Sequence, residues 1–345
     1  MSLKRPNVAF GAFNAPKAAL GASNAPKATL GCVRAEDRVS GVSSPKTPRR
    51  PAPPPGLVIV DKPAGMTSHD VVARARRIMG TRKVGHAGTL DPMATGVLVL
   101  GIERATKLLG HLALDRKTYL ATLSLGSATT TDDAEGEILR KAEPAATAKI
   151  TDEEIAAGVA KLTGDVQQVP SSVSAVKIDG KRAYARVRAG EDVVLPPRPV
   201  TVFRFDVLAI RREEERLELD AIVECSSGTY VRALARDLGD DLGVGGHLLA
   251  LRRTTVGPFT LAKARTLDQL EETPELSLDL DDAVAAAFPR HDLDTATARA
   301  IRHGQRIPAA GIEGTYGLFG PDGRVLALAA DTEGVSRAVV VLLPA

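Results

Sequence analysis

Val84 to Leu100 reads VGHAGTLDPMATGVLVL, and the reading of the whole chain turns on it. Its end, Val97 to Leu100, is a short apolar run of strand length. Its beginning, Gly85 to Gly96, is glycine-rich and reads as irregular backbone. Taken alone, that part is a tight turn: glycine supplies positive φ, and Asp91-Pro92 is a turn starter. Inside the turn stand one imidazole, His86, and one carboxylate, Asp91. A metal is not expected there, because no second ligand lies at a suitable spacing.

Working outward, Leu57 to Val60 reads as a buried strand, broken by Asp61, Lys62, Pro63 and Gly65. Ser68 is the expected N-cap of a helix from about His69 to Met79. Val71, Val72, Ala75, Ile78 and Met79 make its apolar stripe and leave Arg74, Arg76 and Arg77 largely off it, with Arg82 and Lys83 following. Downstream, Tyr119, Ala121, Leu123 and Leu125 alternate with their neighbours as a strand does. Leu217, Leu219, Ala221, Val223 and Cys225 give the clearest half-buried strand. Ser226 to Thr229 then turn the chain into a helix carrying Val231, Leu234, Ala235 and Leu238. Strands and helices mix without a regular βαβ rhythm, so the class is α+β. Past about residue 290 short strands take over, at Tyr316 to Phe319, Val325 to Ala329 and Ala338 to Leu343.

The expected division is therefore a tail at 1–55, a main domain at 56–290 and a small β domain at 291–345. The tail holds a near-repeat, GAFNAPKAAL at Gly11 to Leu20 and GASNAPKATL at Gly21 to Leu30, then a proline run at Pro51 to Pro55. Such composition cannot bury enough apolar area to offset chain entropy, so a disordered basic segment is expected. It can be read as a solvated tail, a weak RNA-attracting arm, a transit peptide or a misassigned start. It carries nine basic and two acidic residues, against 36 and 40 in the remainder. The net charge of +3 thus belongs to the tail, and a nucleic acid would have to be held by local patches. No apolar run is long enough to span a bilayer, and the start lacks a secretory core, so a cytoplasmic protein is expected. Cys32 and Cys225 make neither a disulfide framework nor a metal site.

The run Val84 to Leu100 resembles the catalytic motif of the TruB family of pseudouridine synthases, a pattern close to G-H-x-G-x-L-D-P-x-A-x-G-V-L. Further segments resemble the family in the same order: Gly56 to Ser68 (GLVIVDKPAGMTS), Arg104 to Lys107 with Lys117 to Tyr119, Val169 to Lys177 (VPSSVSAVK), Gly180 to Gly190 (GKRAYARVRAG), Ser226 to Gly239 (SSGTYVRALARDLG) and Gly246 to Arg253 (GHLLALRR). The resemblance covers residues 56 to about 260.

It implies the pseudouridine synthase fold around a mixed sheet, with a PUA-like RNA-binding domain at the C-terminal end. It implies uridine 55 in the T-loop of tRNA as substrate, a monomer, and no cofactor, since cleavage at N1, rotation and rejoining at C5 need neither redox chemistry nor a group donor. It places the catalytic carboxylate at Asp91, as nucleophile at C1′ or as base at C2′. Arg232 falls beside it, where a cation would lower its pKa and orient it; otherwise Arg232 is a surface helix cation. Tyr119 is the candidate for stacking on the flipped base, or else a core strand aromatic. Tyr230 and Leu251 match the uridine pocket. His86 matches a residue that fills the gap left in the RNA. Two basic windows would meet phosphates: Arg74, Arg76, Arg77, Arg82 and Lys83; and Lys177, Lys181, Arg182, Arg186 and Arg188. The rival readings are a synthase acting on another RNA and a non-catalytic chaperone that folds tRNA.

Overall fold

The computed structural model describes residues 51–112, 116–171, 177–178, 181–182 and 195–343. The expected tail lies almost wholly outside the described residues. So do Arg186 and Arg188, and the side chains of Lys177, Lys181 and Arg182.

The strand reading holds where alternation was strongest. Leu217–Cys225 is a strand whose odd-numbered side chains are buried and even-numbered ones half-buried. It pairs antiparallel with β4, Lys117–Leu125, in register Tyr119 to Val223 and Lys117 to Cys225. On the other side of β4 runs the strand Gly246–Val256. These belong to a ten-stranded sheet. Toward one edge, Gly246–Val256 pairs with β3 (Thr95–Ile102), β3 with β1 (Gly56–Lys62), and β1 with Leu278–Asp279. Toward the other edge come Arg198–Arg212 and Gly164–Gln168. All neighbours along this path are antiparallel except β3 with Gly246–Val256, so the sheet is mixed.

Val231, Leu234, Ala235 and Leu238 of the helix Val231–Asp241 face the sheet and join Tyr119, Ala121 and Leu123 in one buried cluster. Each such leucine contributes about 1.5–3 kcal/mol by leaving water. The helix α1, Ser68–Ile78, packs Val71, Val72 and Ala75 onto Val58, Val60 and Leu98.

Two local expectations differ from the structure. The segment expected to be irregular contains a short strand, β2 (Val84–Ala87), at the edge of β3, with His86 opposite Leu100. Its glycine content hid it. The N-cap of α1 is Thr67, not Ser68: Thr67 and Asp70 form a reciprocal capping box. Ser68 is thereby freed for another partner.

A second sheet of five strands runs in pairing order Arg290–Asp292, Thr315–Phe319, Val325–Thr332, Val335–Val341 and Ile307–Pro308. It packs against the first through the helix Leu280–Ala287. Phe319, Val325, Leu328 and Leu342 share a buried cluster with Leu57, Ile59 and Val99. Lys107 Nζ donates to the Val341 carbonyl at 2.8 Å across the same junction. Among the described residues, no helix is long and apolar enough to cross a membrane.

Candidate active site

Asp91 lies in the loop between β2 and β3, and three elements fix that loop. Ser68 clips it to the start of α1, its hydroxyl donating to the Leu90 carbonyl (3.1 Å) and accepting from the Leu90 amide (2.9 Å). Lys62, fully buried at the end of β1, donates from Nζ to the carbonyls of Pro63 (2.9 Å), Met66 (2.6 Å) and Pro92 (3.1 Å). Arg253, also fully buried, donates from Nε to the Val97 carbonyl (2.7 Å) and from Nη2 to that of Gly88 (3.1 Å). The glycines answer to Arg253. Gly96 has φ +100° and a Cβ there would lie 2.1 Å from the Arg253 carbonyl oxygen, so no other residue fits.

Arg232, 4% exposed, pairs with Asp91, its Nε 3.0 Å from Oδ2. Its Nη1 donates to the Thr131 carbonyl (2.7 Å) and reaches Asp133 Oδ2 (3.3 Å) and Ser171 Oγ (3.4 Å). Asp133 is itself buried and accepts from Thr131 Oγ1 (2.5 Å) and the Glu135 amide (3.1 Å). One guanidinium is thus clamped between two carboxylates. One turn along the same helix, Arg236 repeats the arrangement with Asp132 at 3.1 Å and the Val169 carbonyl at 2.8 Å.

The electrostatic balance at Asp91 differs from the expectation that a neighbouring cation sets it. Loss of water pushes the Asp91 carboxyl above its ordinary value; Arg232 opposes this, Asp133 adds to it, and the net direction is upward. Lys62 is lowered to about 8, chiefly by burial, with Asp91 pulling the other way.

A cleft of about 610 Å³ opens above this loop. Asp91, Tyr119, Tyr230, Arg232 and Leu251 all line it, so five of the six expected residues come together. Tyr119 is both things the sequence allowed, a strand aromatic 7% exposed and a wall of the cleft. Burial raises its phenol, and Arg253 opposes. Tyr230 is set by Gln168, whose carboxamide accepts from the Tyr230 amide (2.8 Å) and donates to its carbonyl (3.1 Å). His86 stands apart. It is half-buried behind His69, with ring centres 5.5 Å apart edge to face, and it is His69 that borders the cleft. Burial lowers the His86 pKa.

The first basic window is less available than its sequence promised. Arg74 is held by Asp268 (2.6 Å) and Glu271 (2.8 Å), Arg76 donates to the Val84 carbonyl (3.0 Å), and Lys83 pairs with Glu103 (3.2 Å). Arg77 and Arg82 are exposed. The window is free of acids in sequence, but the acids arrive from other segments.

Sequence reasoning missed Lys62, Ser68, Lys117, Asp133 and Arg253. For Asp133 a signal existed: the pair Asp132-Asp133 answers Arg232 and Arg236, spaced one turn apart.

The family described as "TruB family pseudouridylate synthase (N terminal domain)" matches residues 76–231. A "tRNA pseudouridylate synthase B C-terminal domain" matches 232–285, and "tRNA Pseudouridine synthase II, C terminal" matches 288–343. The chain belongs to the TruB family. Proteins named tRNA pseudouridine synthase B resemble this TruB member along most of their length. The one from Nocardia farcinica is 62% identical, over 86% of this chain and 96% of its own. That from Rhodococcus jostii is 60% identical, over 84% and 94%. That from Mycobacterium tuberculosis strain H37Rv is 56% identical, over 84% and 97%. Among solved structures, the crystal structure of a Cbf5-Nop10-Gar1 complex superposes with a TM-score of 0.64 at 26% identity, covering 84% of this chain and 85% of that one. An H/ACA RNP bound to a substrate RNA containing 2′-deoxyuridine gives 0.62 at 24%, with the same coverages, and bears on the fold alone. The expected fold, a mixed-sheet synthase body with a C-terminal β sheet, is the fold found.

Proposed function

We propose that this TruB member is a cytoplasmic, monomeric tRNA pseudouridine synthase that isomerises uridine 55 of the T-loop without a cofactor. The observation that carries the reading is the Asp91 carboxylate, 3.0 Å from a buried Arg232, on a cleft walled by Tyr119, Tyr230 and Leu251. Residues 56–290 would do the chemistry and residues 291–345 would extend the RNA-binding surface.

The target nucleotide must leave its stack to reach this cleft, at a cost of a few kcal/mol. Stacking on Tyr119 returns roughly 1–3 kcal/mol. Arg232 and its second anchor Asp133 hold Asp91 in one orientation, so ionised Asp91 meets C1′ as nucleophile, or the C2′ proton as base, without rearranging. The uracil turns between Tyr119 and Leu251, rejoins through C5, and its C5 proton leaves. His86, behind the His69 rim, is the candidate for occupying the vacated place in the RNA.

Asp91→Asn keeps shape and removes the charge. It should abolish tritium release from 5-tritiated uridine in tRNA while tRNA binding survives. Retained turnover in that variant would remove Asp91 from its role. Mapping pseudouridine in cellular RNA with and without the gene tests the position: a signal lost elsewhere than tRNA position 55 would favour another RNA, and no loss would favour a chaperone.

A further inference from the structure

Besides Arg232, the cleft is lined by a second pair of cations. Lys117 and Tyr119 lie two residues apart on the same face of β4, both buried. Arg253 is the cross-strand partner of Tyr119. Lys117, Tyr119, Arg253 and Leu251 all border the cleft. Gly88 brings these cations against the loop of Asp91: with φ +80°, a Cβ there would sit 3.3 Å from Lys117 Cε and 3.6 Å from Arg253 Nη1. Among the described residues bordering the cleft are three cations, Lys117, Arg232 and Arg253, and one carboxylate, Asp91.

A buried ammonium and a buried guanidinium are costly, and an apolar pair would pack as well. Their place gives the reason. Arg232 serves the sugar end, where Asp91 works. Lys117 and Arg253 stand at the Tyr119 end, where the base lies on the functional reading above, which this inference deepens. When N1–C1′ breaks, by either route, the bonding pair moves onto the uracil ring and is shared by N1, O2 and O4. The pair returns from C5 as the new C–C bond forms, and N1 gains a proton as C5 loses its own. Between these events the ring is an anion beside two buried cations, Lys117 and Arg253. We propose that Lys117, backed by Arg253, stabilises the uracil anion released by cleavage of the glycosidic bond. Lys117 touches the base; Arg253, whose Nε and Nη2 hold the carbonyls of Val97 and Gly88, fixes the wall behind it.

The proposal is tested with a change in the leaving group. A fluorine on C5 withdraws electrons, so 5-fluorouracil carries the same negative charge more easily and needs less help. Single-turnover cleavage would be followed on tRNA with uridine and on tRNA with 5-fluorouridine at the target position, for the full chain and for Lys117→Met. The variant should lose roughly 100-fold on uridine and less than about tenfold on 5-fluorouridine, with unchanged tRNA affinity. Lys117→Arg should recover part of the uridine rate. Lys117→Gln, which keeps length and polarity, repeats the comparison should Lys117→Met not melt cooperatively. Equal losses on both substrates would overturn the proposal. So would a salt-dependent loss of affinity at an unchanged cleavage rate, which would make Lys117 a phosphate contact. A wild-type chain that leaves uridine unchanged would overturn the functional reading itself.

Discussion

Two helices of eleven residues carry arginines, Ser68–Ile78 and Val231–Asp241, and they use them in opposite ways. On the first, Arg74 meets Asp268 and Glu271 at the surface, where those acids are 81% and 62% exposed. On the second, Arg232 is 4% exposed and closes on Asp133, 5% exposed, and on Asp91, 37% exposed at the cleft. The distances are alike, 2.6–2.8 Å on one and 3.0–3.3 Å on the other. Burial makes the difference. A surface pair is worth about 0–1 kcal/mol, whereas breaking a buried pair strands a charge and costs about 3–5 kcal/mol.

The largest effect that could break this contrast is at Arg232. Arg232→Met should lower single-turnover conversion of tRNA by roughly 10²–10³-fold, the size seen when one preorganised charged partner is lost. Its acid limb should also move to higher pH. Burial already raises the Asp91 carboxyl and Arg232 opposes that, so removing the cation leaves less of Asp91 ionised at a given pH. A variant within tenfold of the parent, with an unmoved limb, would put Arg232 on a par with Arg74.

Lys62 offers a smaller, sharper test, because it is a buried cation without a carboxylate within hydrogen-bond reach among its described partners. Its three donors hold the carbonyls of Pro63, Met66 and Pro92, and its pKa is lowered to about 8. Above that pH the amine has two donors for three carbonyls, and the loop of Asp91 loosens. Turnover should fall a few-fold between about pH 8 and 9, a change of the size of one charged hydrogen bond. Lys62→Arg, which stays protonated, should move that limb upward. Stability should run the other way. Between about 8 and 10.5 the unfolded chain holds a proton that the folded chain has released, so this group favours folding more as pH rises. An alkaline limb unmoved in Lys62→Arg would separate the loop from Lys62.

What the sequence allowed to be read follows the same division. Leu217–Cys225 was legible because its alternation and its burial have one cause, a sheet with one face on the core. Asp91 was legible because a long local motif surrounds it. Asp133, Lys117 and Arg253 were not, since each meets its partners through segments far apart in the chain, Asp133 across 99 residues to Arg232 and Arg253 across 165 to Gly88. The net direction of the Asp91 pKa was out of reach for a related reason: the lowering by a neighbouring cation can be guessed from a motif, but lost water cannot. The pairing of Arg74 in the α1 window was hidden likewise, because Asp268 lies 194 residues from Arg74.

That window gives the smallest expected effect and the closest check on the surface half of the contrast. If Arg74 is spent on Asp268 and Glu271, Arg74→Ala should leave tRNA affinity within about twofold and stability within about 1 kcal/mol. Arg77, on α1, and Arg82, just beyond it, are exposed, and among the described residues neither is paired with a carboxylate. An Arg77→Glu/Arg82→Glu double change should therefore weaken tRNA binding, and the loss should shrink as salt is raised, because each phosphate contact releases counterions. Filter binding at two salt concentrations separates the cases. A large loss in Arg74→Ala would show that RNA pulls Arg74 away from its acids, and the exposed pair would then be a resting position for a phosphate-binding arginine. No loss in the double variant would return the whole helix face to solvent and leave phosphate recognition to other segments.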